Sequence, residues 1–225
     1  MLNSSTNNTI DIIESNVNDS RIPLGKHRGI PMLIQRLLAL VALIILSPIL
    51  LIGMLLIRVE SNGNCFFSQD RIGKFGRHFR MYKFRSMYLK TDPLYQEPDV
   101  TKNDRDGVCK KYKIDPRITK VGGFIRKYSI DELPQLFNIV NGDMALIGPR
   151  PGLPIEVDAY PTSALSRLNG IPGLSGLWQV TGRANTDFQT QVELDLHYLN
   201  HQSIRLDVYI LLATVPTVIT ANGAY

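Results

Sequence analysis

PRITKVGGFIRKYSIDELPQLFNIVNGDMALIGPRP, residues 116 to 151 of a 225-residue chain, holds the densest set of chemistry-bearing side chains. At its centre Asp131 and Glu132 stand side by side, with Arg126 five residues before Asp131 and Arg150 eighteen after Glu132. Ser129 and Asp131 are residue types that start helices. Pro134 fits only a first turn, where its missing N–H costs nothing. The spacing therefore predicts a helix from about Asp131. Leu133, Leu136, Phe137 and Val140 follow on a 3.6-residue stripe, and Gly142 is a natural stop. The acid pair is thus expected at a helix N-terminus, where free N–H groups and the dipole favour anions by roughly 0.3–1 kcal/mol. That would keep Asp131 ionised and draw in a phosphate. A simpler reading makes Asp131 a cap and Glu132 a first-turn acid. Against it stands the company: two arginines, the Gly122-Gly123 turn and the rigid Gly148-Pro149-Arg150-Pro151.

Upstream, Leu37 to Ile57 (LLALVALIILSPILLIGMLLI) is the only long apolar run. It just reaches the length of about 20 residues that spans a bilayer. Ser47-Pro48 interrupts its midpoint, where proline removes a backbone bond and bends a helix. Basic residues flank both ends: Lys26, Arg28 and Arg36 before it, Arg58, Lys74, Arg77 and Arg80 after it. Positive charge marks the cytoplasmic side. A run basic at both ends suits a helix-break-helix hairpin that returns to the side it left. A Pro-kinked spanning helix is equally compatible with the residues alone. Residues 1 to about 25 are rich in Asn, Ser and Asp, lack an apolar period, and read as a flexible tail without signal-peptide features.

Between the apolar run and the central stretch, residues 59 to 87 read as short strands and turns. Phe79, Met81, Tyr82, Lys83, Phe84 and Arg85 mix apolar and basic side chains. They fit either a half-exposed strand with solvated charges or a strand whose Lys83 and Arg85 line an anionic site. Residues 88 to 115 are polar and irregular, as in an exposed insertion. Downstream, residues 170 to 182 are rich in glycine, which lets backbone approach a ligand closely. A compact loop packed by Trp178 is the compatible alternative, and Arg183 closes this loop. A helix is expected over Asp187 to Gln202. A shorter apolar segment over Arg205 to Thr220, interrupted by Pro216, is expected at a membrane surface beside Tyr198 and Tyr209.

A net charge of +5 and a pI near 9.2 suit anionic surfaces or substrates. Nucleic acid fits the charge as well, but no RNA-binding signature string is present, and no nucleic-acid partner is expected. Cys65 and Cys109 make no metal pattern and no disulfide framework, and read as free thiols. There is no G-x-x-x-x-G-K-[ST] phosphate loop and no G-x-G-x-x-G fingerprint.

The string IRKYSIDELPQLFNIVNGDMALIGPRP closely resembles the signature of the bacterial sugar transferases. These are monotopic phosphoglycosyl transferases that load a sugar 1-phosphate onto polyprenyl phosphate. The resemblance extends upstream to KFRSM (Lys83 to Met87) and downstream to PGLSGLWQVTGR (Pro172 to Arg183), and with the membrane segment covers about residue 31 to the end. Ala145 stands where the family often has Ser, and Ile147 where it often has Val; neither carries chemistry.

The resemblance implies an α+β, mostly helical fold. A flexible tail (1–30) would precede a re-entrant membrane helix broken at Ser47-Pro48 (31–59). A small cytoplasmic-face catalytic domain with interfacial amphipathic helices would follow (60–225). It places the protein at the cytoplasmic face of the bacterial inner membrane, among its lipids. The implied substrates are a UDP-sugar, with glucose or galactose as the hexose, and polyprenyl (undecaprenyl) phosphate, with Mg²⁺ as helper. Asp131 would be nucleophile and metal ligand, and Glu132 the acid that handles the proton or orients the site. Arg126 would meet the acceptor phosphate, and Lys83, Arg85, Arg150 and Arg183 the donor phosphates. The competing function is a non-catalytic adaptor that holds anionic lipid, with the acids serving only as caps. The sequence names neither the sugar nor the oligomeric state, a homo-oligomer included.

Overall fold

In a computed structural model the described residues are 28–99, 115–182 and 186–220. Cys109 and Arg183, and nearly all of the expected tail, lie outside them. The described chain is mostly helical, with two small two-stranded sheets.

Helix α1 (Met32–Glu60) is the one helix among the described residues long and apolar enough to cross a membrane. Its 29 residues measure about 43 Å at ~1.5 Å per residue. Gln35, Ala39, Leu43, Gly53 and Ile57 are buried along one stripe, with Leu46 and Leu50 partly buried between them. The 3–4 residue spacing keeps a single face of α1 on the rest of the molecule over its whole length. The opposite face, from Leu33 and Leu37 to Leu55 and Val59, is apolar and exposed.

Helix α1 is continuous through Ser47-Pro48, where a break was expected. Proline has no N–H to give the carbonyl of Ile44 four residues back, but the Ser47 hydroxyl donates to that same oxygen at 2.8 Å. The acceptor that proline would orphan is served by its neighbour.

Two antiparallel strands follow, β1 (Phe66–Ile72) and β2 (His78–Phe84), in register Phe66 to Phe84 and Ile72 to His78. Phe75 in the connection adopts φ 56°. Helix α2 (Lys120–Lys127) is capped by Thr119, whose hydroxyl accepts from Gly122 N. A 3₁₀ turn (Ile130–Glu132) and helix α3 (Gln135–Asn141) complete the central segment.

Strand β3 (Ala145–Ile147) pairs in parallel with β4 (Gly173–Ser175). Short helices α4 (Pro154–Asp158) and α5 (Thr162–Leu165) lie between them, and α6 (Leu177–Thr181) follows. Buried Trp178 belongs to α6. Two longer helices end the described chain, α7 (Phe188–His201) and α8 (Ile204–Thr220), close to the expected bounds. Asp187 caps α7 by accepting from Thr190 N at 2.7 Å.

The main core gathers Ala39 and Leu43 of α1, Phe79 and Met81 of β2, Leu136 and Ile139 of α3, residues of β3, and Tyr198 and Ile210. Tyr198 was expected at an interface, yet it is only 1% exposed, because its hydroxyl finds polar partners inside. Tyr209 is exposed, as are Val208, Leu212, Val215 and Ile219 along the outer side of α8.

Candidate active site

The acid pair does not begin the α-helix. Asp131 and Glu132 occupy the 3₁₀ turn, and α3 starts only at Gln135, after Pro134. Ser129 makes no side-chain cap. It takes a left-handed conformation, φ 54°, which serine adopts at a cost of about 1–2 kcal/mol. That bend, together with the Glu132 N–H bonded to Ser129 O at 3.2 Å, turns both acids inward. The buried residues of α3 are Gln135, Leu136, Asn138 and Ile139, while Phe137 is exposed, so the apolar stripe is rotated from the expected one. Gly142 ends the helix with φ 90°, as its position foretold.

Cations converge on the pair from separate elements. Lys83 of β2 bonds Glu132 Oε1 through Nζ at 2.6 Å and lies 3.9 Å from Asp131 Oδ2. Arg150, three residues past β3, brings Nη1 to 4.0 Å from Glu132 Oε1. Arg126, near the end of α2, is close enough for its charge to act on Asp131.

The two carboxyls are pushed apart. Burial raises Asp131 to about 6; Lys83 and Arg126 pull it down, and Glu132 pushes it up. Burial works the same way on Glu132, but Lys83 and then Arg150 outweigh it and hold that acid at about 2. What tunes Asp131 is therefore desolvation against nearby charge rather than a helix dipole. A carboxylate pair so divided gives one permanent anion beside one that titrates near neutrality, a pattern typical of reacting sites.

Not every expected residue reaches this place. Arg85 is buried, and its guanidinium donates to Asn62 O at 2.7 Å and Ser61 O at 2.9 Å. These two bonds tie the chain just past the end of α1 to the end of β2. Lys83 and Arg85 share a parity along the chain, but Arg85 lies one residue past β2, its N–H bonded to Cys65 O at 2.8 Å.

The residues 27–221 match the family model described as "Bacterial sugar transferase". The chain belongs to the bacterial sugar transferase family. Among curated relatives, the exopolysaccharide production protein ExoY of Sinorhizobium fredii is 39% identical over 192 residues, covering 84% of this chain and 85% of that protein. The undecaprenyl-phosphate galactose phosphotransferase of Salmonella typhimurium is 40% identical over 192 residues, 83% of this chain but 40% of that longer protein. The UDP-glucose:undecaprenyl-phosphate glucose-1-phosphate transferase of Caulobacter vibrioides is 37% identical over 203 residues, 85% of this chain and 72% of that protein.

Several residues of this sugar transferase that shape the site went unnoticed in the sequence. Asn138, fully buried on α3, accepts from Tyr82 N at 3.0 Å and donates to Arg80 O at 2.7 Å. Its amide imitates a neighbouring strand and fixes β2, hence Lys83, against the acids. Gln35, Tyr198 and Asp207 form a second buried polar set. The available signal was a polar side chain in an otherwise apolar stretch, as in LFNIV and MLIQRLL.

A divalent cation was also expected. Among the described residues no three His, Cys, Asp or Glu side chains gather into a ready metal cage. Magnesium often takes only one or two carboxylates and completes its shell with substrate phosphates and water. The adjacent Asp131 and Glu132 fit that sparser demand.

Proposed function

We propose that the chain transfers a hexose 1-phosphate from a UDP-sugar to undecaprenyl phosphate, releasing UMP. The observation that carries this reading is the divided acid pair: buried Asp131, titrating near 6, beside Glu132 held anionic by Lys83. Asp131 attacks the β-phosphorus. The bond from its carboxylate oxygen to phosphorus forms as the bridging bond to UMP breaks. An oxygen of the polyprenyl phosphate then attacks the same phosphorus, the bond to Asp131 breaks, and polyprenyl diphosphosugar leaves. Covalent catalysis of this kind splits one hard displacement into two and gives ping-pong kinetics. The work left to the protein is positioning and neutralisation of charge between anions. Lys83 and Arg150 supply positive charge on the donor side, and Arg126 meets the acceptor phosphate. Magnesium bound by Asp131 and the donor phosphates would lower the repulsion between them. Glu132 keeps Lys83 oriented.

The acceptor's tail stays in lipid, so the site works at the headgroup level of one leaflet. What supports a helix that enters and leaves on the same side is that both ends of α1 are bonded to one folded body. Gln35 near its start takes Leu146 N, and Glu60 at its finish takes Lys120 N and Val121 N. The face that would meet acyl chains is the exposed apolar one. We place this body at the cytoplasmic face of the inner membrane.

The test is isotope-labelled UDP-hexose without acceptor. Wild type becomes labelled and releases UMP. Asp131→Asn does neither. A labelled Asn variant would end the assignment of the nucleophile. Exopolysaccharide initiation is the cellular role favoured by the likeness to ExoY.

A further inference from the structure

We infer that the two ends of α1 position the two phosphate-facing arginines, Glu60 setting Arg126 and a buried polar ring through Gln35 and Asp207 setting Arg150. This rests on the reading above, in which Arg126 serves the acceptor and Arg150 the donor.

At the finish of α1, Glu60 lays both carboxylate oxygens on the first turn of α2. Oε1 accepts from Lys120 N at 2.7 Å and Oε2 from Val121 N at 2.9 Å. With Thr119 serving Gly122 N and Ser86 O taking Thr119 N, all four N–H groups that a helix start leaves open are taken, two of them by α1. Helix α2 is eight residues long, so its direction is set by that end, and Arg126 is its seventh residue. Ile125 packs beside Ile57 of α1 and Phe84. The acceptor arginine thus takes its place from the end of the lipid-facing helix.

The start of α1 is joined to β3 by a closed circuit. Asp207 Oδ2 accepts from Ile30 N at 2.8 Å. Ile30 O accepts from Gln35 Nε2 at 2.7 Å, and Gln35 Oε1 accepts from Leu146 N at 2.7 Å. The next residue closes the loop: the Tyr198 hydroxyl, 2.8 Å from Asp207 Oδ1, also lies 3.3 Å from Ile147 O. Gln35 and Asp207 are completely buried and Tyr198 nearly so. At Gly29 a Cβ would come 2.1 Å from Asp207 Oδ2, so the chain passes where only glycine fits. The circuit grips both peptide faces of β3 three residues before Arg150. A buried network with every member partnered is stiff, and losing one member leaves the others unsatisfied.

Purified full-length protein in nanodiscs containing undecaprenyl phosphate, supplied with UDP-galactose or UDP-glucose, tests this through kcat/KM measured separately for each substrate. Glu60→Gln keeps the size but only one accepting oxygen. It should lower kcat/KM for undecaprenyl phosphate about tenfold and leave that for the UDP-sugar within about twofold. Tyr198→Phe and Asp207→Asn should do the reverse. A residue that matters only for stability changes the active fraction, which scales both values equally and leaves their ratio unmoved; an unmoved ratio, or the opposite assignment, overturns the inference. If Asp207→Asn does not fold, Tyr198→Phe, which removes one hydroxyl, decides that end. A wild type that turns over normally while the ratios stay fixed sinks only this inference. A wild type that releases no UMP from any UDP-sugar sinks the function, and the inference with it.

Discussion

At the scale of single residues, Asp131 shows a conflict between working and folding. Its carboxyl binds a proton more tightly folded than unfolded, since about 6 lies above the ordinary 3.8. Ionising it therefore removes stability as pH rises from about 4 through 6. Glu132 runs the other way: its contribution is present above its unfolded value of 4.5 and is lost as pH falls toward about 2. Asp131→Asn should thus be inactive yet more stable than wild type at pH 7.5, by on the order of 1–3 kcal/mol, as read from denaturant midpoints. Lys83 is a main force lowering Asp131. Lys83→Met should reduce turnover and also move the acid limb of the pH–activity profile to higher pH. An acid limb that stays fixed would separate Lys83 from the acid. Asn138→Leu leaves Tyr82 N and Arg80 O without their shared partner. A loss of about 1–3 kcal/mol of stability is expected, checked by thermal unfolding.

Elements show why part of the site was legible and part was not. Acids, arginines and prolines in residues 116–151 marked the stretch as unusual for a mere cap, and the family resemblance supplied the chemistry expected of it. The start of α3 was misplaced because Ser129 bends left-handed, and nothing in a serine announces a positive φ. Lys83 and Arg85 stand two apart and look alike in sequence, and only the structure brings one to the acids and ties the other to the end of α1. The proline in α1 was legible in the sequence, but the Ser47 hydroxyl bonded to Ile44 O was not, since a Ser-Pro string does not say where the hydroxyl goes. Ser47→Ala should leave the Ile44 carbonyl unserved beside lipid, at a cost of about 0.6–2 kcal/mol. Deuterium exchange in detergent should then rise in the turn around Pro48 while α3 stays unchanged. Gly122 offers a sharper case. A Cβ there would stand 2.0 Å from Ser86 O, so Gly122→Ala must push α2 off the strand end. Its effect should fall on the acceptor step, the one proposed for Arg126.

For the whole molecule, the long apolar segment was legible in hydropathy and the mostly helical class in the family resemblance. The two small sheets were harder. Strand β3 has three residues, and the Leu146 N–H within it is taken by the Gln35 side chain, much as the Asn138 side chain takes Tyr82 N of β2. No periodicity encodes such a partner. One face of α1 and the outer side of α8 are apolar and exposed together. Protein extracted without lipid or detergent should aggregate, and flotation with liposomes should recover it. Leu37→Glu with Leu55→Glu should weaken flotation while thermal unfolding in detergent stays within about 1 kcal/mol.

The amide of Ile30 lies just outside the start of α1, where no helical carbonyl serves it and exchange with solvent is ordinarily fast. Here a sunken carboxylate holds it. It should therefore keep its proton about as long as Leu146 does in the middle of the fold. A chain beginning shortly after that position would surrender protection at both places together.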